Sequence, residues 1–138
     1  MYTLITNNAD LADHVTSAEV VDGTPLEVLL RVRNLVHTGS IILTHPLCGN
    51  LHPNHQPYRS VLLDVRQGAA DLESLTLIES AIRVYEAVPC AAGVSESSLR
   101  DYAYIDSELM RESLEQYRLI RDEELITASS LLMKEECK

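Results

Sequence analysis

The sequence has no tryptophan, no phenylalanine, five glycines, five prolines and two lysines, both lysines among its last five residues. A folded core must therefore be built from Leu, Ile, Val and Tyr. With so few lysines and a formal charge of −10, no basic stripe exists to meet a phosphate backbone, which excludes a general nucleic-acid binder. No apolar run approaches the roughly 20 residues that cross a bilayer, so no membrane partner is expected. The three cysteines, Cys48, Cys90 and Cys137, are odd in number and unevenly spaced. They make no disulfide framework, and the opening MYTLITNN has neither a charged region nor an apolar signal core. A cytoplasmic, reduced protein is expected.

What is present fits one domain. At 138 residues and 46% apolar composition, folding can bury about two-thirds of the unfolded surface in a single core. The charge is unevenly spread. Between Glu27 and Asp64 there is no acidic residue, while Arg31, Arg33, Arg59 and four histidines lie there. A neutral-to-positive island in an acidic chain suits a small anion.

Tyr2 to Thr6 is short and β-prone, and Asn7-Asn8 close it as a turn. A polar segment with room for one helical turn follows, then a second short strand at Glu19-Val20-Val21, ended by Asp22-Gly23. Thr24-Pro25-Leu26-Glu27 combines an N-cap, a proline at the first helical position and an acidic residue placed for a capping box. Leu26, Leu29, Leu30, Arg33 and Val36 continue that helix at helical spacing, and Gly39 supplies its left-handed stop. Ser40 to Thr44 and Ser60 to Asp64 read as central strands. Asp71 caps a further helix whose Leu72, Leu75, Ile78, Ile82 and Tyr85 line one face before Pro89. From Ser98 the pattern is helical almost to the end, with a break expected near Asp106. Met110, Leu114, Tyr117, Leu125, Ala128 and Leu132 form a seam that docks on the domain or serves as a dimer arm. Monomer and homodimer both remain open.

The densest chemistry lies from Thr44 to Arg59, THPLCGNLHPNHQPYR, with three of the five histidines and three of the five prolines. In an open α/β sheet, ligands bind beyond the carboxyl ends of the strands. Asn7-Asn8 and Thr44-His45 both stand at such ends. If their strands are parallel neighbours, Asn7, Asn8, Thr44 and His45 converge, and Gly49 lets backbone N–H groups approach a ligand. The alternative is that Asn7, Asn8 and Thr44 satisfy turn backbone. Tyr58 and Arg59 complete the candidate ligand set.

His45, Cys48, His52 and His55 give H-x2-C-x3-H-x2-H, a spacing compatible with zinc. Three prolines stiffen this loop, and structural zinc usually supports domains with little core, so we expect no metal and no cofactor. Cys48 is a candidate nucleophile if His45 or a helix N-terminus lowers its pKa, and otherwise an inert filler. His45 is the candidate acid or base. His37, in the last turn of its helix, complements the helix dipole. The Walker, G-x-G-x-x-G, G-x-S-x-G and H-E-x-x-H patterns are absent.

The order ITNN, VVDGTPLEVLLRVRNLVHTG, IILTHPLCGNLHPNHQPYRSVLL and YRLIRDEELI resembles the GrdX family, small proteins encoded beside the glycine reductase genes of amino-acid-fermenting anaerobes. The resemblance covers most of the chain and is strongest from Val21 to Leu63, where THPL-x-G precedes P-x-x-x-PY. Asn7, Asn8, Thr44, His45, Pro46, Gly49, Pro53, Pro57 and Tyr58 match the family pattern, whereas His52 and His55 depart from it. The resemblance implies a cytoplasmic accessory protein near a thiol- and selenium-dependent reductase, with a reductase component as a partner.

The expected fold is a single α/β domain over 1–138, with a small, mainly parallel or mixed sheet of about four strands, flanking helices and a long C-terminal helical segment over 98–138. The relative direction of the third and fourth strands stays open. The leading expectation is a non-catalytic accessory protein that binds a small anionic ligand. One alternative is an enzyme acting on a small amine, thiol or phosphoester through His45 and Cys48. Another is a scaffold that binds a reductase subunit through the C-terminal helix.

Overall fold

The computed structural model describes residues 1–47, 57–87 and 96–121. Along the chain run β1 (Tyr2–Thr6), α1 (Ala9–Ala12), β2 (Ala18–Val20), α2 (Pro25–His37), β3 (Ile41–Ile42), β4 (Ser60–Asp64), α3 (Leu72–Ala87) and α4 (Glu96–Gln116). The described strands form one mixed sheet in the order β2-β1-β4-β3. β1 and β2 are parallel, and β4 is antiparallel to both β1 and β3. That answers the open direction: the third and fourth strands oppose each other. The expected α/β domain with its C-terminal helix is what the chain adopts.

Strand alternation divides the core into two layers. Ile5, Val61 and Leu63 point to one face and pack with Val28, Leu29, Val32 and Val36 of α2 and Ile78, Ala81 and Ile82 of α3. Leu4 and Leu62 point to the other face and meet Leu11, Val15, Met110, Leu114 and Leu119. The sheet is thus buried on both sides, which is why β4 is buried at every position. α4 covers the second face.

Local signals account for most of the boundaries. Asn8 caps α1, its side chain accepting from the Leu11 N–H at 3.3 Å. Thr24 caps α2, accepting from the Glu27 N–H at 3.3 Å, with Pro25 in the first turn. Gly39 ends α2 at φ +116°, and a Cβ there would lie 2.6 Å from the Gly68 nitrogen. Asp71 accepts from the Ser74 N–H at 3.0 Å as α3 begins.

Several expectations need correction. β2 begins one residue early, at Ala18, and Val21 lies beyond it. β3 is only two residues long because the Thr44 hydroxyl, in place of a strand carbonyl, accepts from the Leu62 N–H at 3.0 Å. Leu72 is 77% exposed, so it does not line the buried face of α3. The break foreseen near Asp106 does not occur: α4 runs unbroken through it. The helix ends instead at Gln116, closed by Arg118, where φ is +56° and the Leu119 N–H returns to the Leu114 carbonyl at 2.9 Å, a left-handed cap built without glycine. Leu119 and Arg121 then pair with Thr16 and His14, bringing the chain back beside β2. Leu125, Ala128 and Leu132 of the foreseen seam lie outside the described residues. No described helix is long and apolar enough to cross a membrane.

Candidate functional site

The carboxyl ends of β1 and β3 and the amino end of β4 meet at one end of the sheet. β1 and β3 are parallel but not neighbours. β4 lies between them, a separation of about 10 Å from two strand spacings. Asn7 follows β1 and joins three segments. Its amide donates to the carbonyls of Gly23 and Pro57, each at 2.9 Å, and its oxygen accepts from the Arg59 N–H at 2.9 Å. Both amide hydrogens therefore serve backbone. Thr44 serves the β4 backbone, as described above. His45 is exposed, and its Nδ1 accepts from the Leu47 N–H at 3.1 Å. Tyr58 is half-buried. Gly49, Cys48, His52 and His55 lie outside the described residues, so the four-donor loop pattern does too. Among the described residues, no three His, Cys, Asp or Glu side chains stand close enough to hold a metal.

Arg59 and Ser60 are consecutive and so face opposite sides of the sheet end. On the α3 side, Arg59 is 5% exposed and donates from Nε and Nη2 to the Tyr85 hydroxyl at 3.0 and 2.7 Å. Its guanidinium carbon stands 5.6 Å from the Tyr85 ring centroid, within cation–π reach. Burial pushes the Tyr85 phenol above its ordinary pKa, against the opposing pull of the Arg59 charge. The phenol stays a neutral donor.

On the α4 side lies a buried polar chain. The Asn8 N–H donates to the Thr6 hydroxyl at 2.9 Å, and the Thr6 and Ser60 hydroxyls are bonded at 2.7 Å. Ser60 then bonds to Asp106 Oδ2 at 2.7 Å. The Asn8 amide donates to the same oxygen at 3.2 Å and to the Ala103 carbonyl at 3.1 Å. Thr6, Asn8, Ser60 and Asp106 are all buried. Burial raises the Asp106 pKa above the ordinary carboxylate value, and hydrogen bonds from Ser60 and Asn8 and the Arg59 charge pull against it. These groups tie β1, β4, α1 and α4 together. Ser60 is 2% exposed, too enclosed for its hydroxyl to reach a substrate.

Thr6, Ser60, Tyr85 and Asp106 were not among the residues singled out from the sequence. Asp106 had a usable signal: it falls four residues before Met110 and eight before Leu114, on the buried seam of α4. A carboxylate on an apolar stripe is costly unless hydrogen-bonded, and here it is. Tyr85 was read only as part of an apolar face. The island of positive charge is also narrower than the sequence suggested. Arg31 forms a two-point pair with Glu19 at 2.6 and 3.0 Å, and Arg33 lies 3.9 Å from Glu79.

A scan against protein-family models matches residues 3–115 to the family described as GrdX-like protein. No curated protein and no solved structure gave a match. The matched span takes in the whole sheet and both polar clusters at its end, so the chain belongs to the GrdX-like protein family, whose association is with the glycine reductase genes.

Proposed function

We propose that this protein is a non-catalytic accessory factor of glycine reductase metabolism that binds a small anion at the end of the sheet, with Arg59 as the charge that attracts it. The observation that carries this reading is the buried Arg59 guanidinium, in a chain of net charge −10, at the end of the sheet where β4 begins between the carboxyl ends of β1 and β3. Removing a guanidinium from water costs several kcal/mol unless it gains strong partners. Its bonds to the Tyr85 hydroxyl fix its position at that end of the sheet. His45 stands at the end of the neighbouring β3 segment and adds a second polar group to the same end of the molecule.

The non-catalytic part of the reading rests on how the polar groups are used. Asn7, Asn8 and Thr44 hold backbone, and Ser60 and Asp106 are sealed beneath α4. Native mass spectrometry of the purified protein tests the proposal. The expected result is a small anionic adduct on the wild-type protein that is missing from Arg59→Gln. An identical adduct pattern for both proteins rejects Arg59 as the anchor.

A further inference from the structure

We draw no further inference here: the strongest candidate, the buried cluster of Thr6, Asn8, Ser60 and Asp106 between the end of the sheet and α4, belongs to the site already described, its polar groups being bonded to one another, and only the raised Asp106 pKa would make it a switch.

Discussion

Replacing Asn8 tests whether the buried polar chain beneath α4 holds the domain together. Asn8 is 1% exposed and does two separable jobs. Its oxygen caps α1 through the Leu11 N–H, and its amide donates to Asp106 Oδ2 at 3.2 Å. Asn8→Ala removes both. Loss of a cap costs about 1 kcal/mol, and leaving a buried hydrogen-bond partner unsatisfied about 1–3 kcal/mol. The sum, about 2–4 kcal/mol, is a large part of the stability of a small domain. Asn8→Asp separates the two jobs: it keeps the cap oxygen but sets a second carboxyl against Asp106. Two carboxyl groups that close cannot both ionise, so their pKa in the folded state is raised. The stability they contribute is then present in acid and lost as pH rises. Urea denaturation followed by circular dichroism should show Asn8→Ala destabilised throughout, and Asn8→Asp destabilised at neutral pH but recovering as pH falls toward about 4. If Asn8→Ala unfolds within about 0.5 kcal/mol of wild type, the network is incidental.

Three further outcomes follow from the same geometry. Burial raises the Asp106 carboxyl in the folded state, so its stabilising contribution is complete in acid and is lost as pH rises through the folded value. Asp106→Asn, which cannot ionise, should therefore gain stability relative to wild type as pH rises above about 4 by urea denaturation, and a constant difference would contradict this. Gly39→Ala must hold φ near +116° with its Cβ 2.6 Å from the Gly68 nitrogen, and should lower stability by about 1–3 kcal/mol in thermal or urea unfolding. His45→Ala should leave the unfolding midpoint within about 0.5 kcal/mol of wild type, because the side chain is exposed, while weakening phosphate binding in calorimetry.

The parts of the fold that could be read in the sequence are those set by local chemistry. Tyr2–Thr6 is β-prone and ends on Asn7-Asn8, and Thr24-Pro25 starts α2 with a cap and a fixed φ. Gly39 supplies a backbone conformation that other residues resist. What could not be read is set by distance. Thr44 shortens β3 by bonding to Leu62, eighteen residues away, and Asp106 is stabilised by Ser60 of β4 and by Asn8 at the start of α1, both far along the chain. An acidic residue on the apolar face of a helical pattern reads as a break, whereas Asp106 is a buried tie. Arg118 ends α4 with a positive φ that sequence rules assign to Gly or Asn, which left no local sign of the true boundary. At the sheet end, Arg59 was visible as a charge in an unopposed stretch. Its attachment to Tyr85, twenty-six residues on, was not.

The central claim, that Arg59 anchors a small anion at the carboxyl end of the sheet, is tested most directly by calorimetric titration of phosphate, acetyl phosphate and glycine into wild type, Arg59→Gln and Arg31→Gln. Arg31 serves as the control because it is already paired with Glu19 on the surface of α2. The account predicts that at least one ligand binds wild type and Arg31→Gln alike and binds Arg59→Gln at least tenfold more weakly, the loss expected for a charge-assisted contact. Equal affinity in Arg59→Gln and wild type, with both folded by circular dichroism, would contradict it.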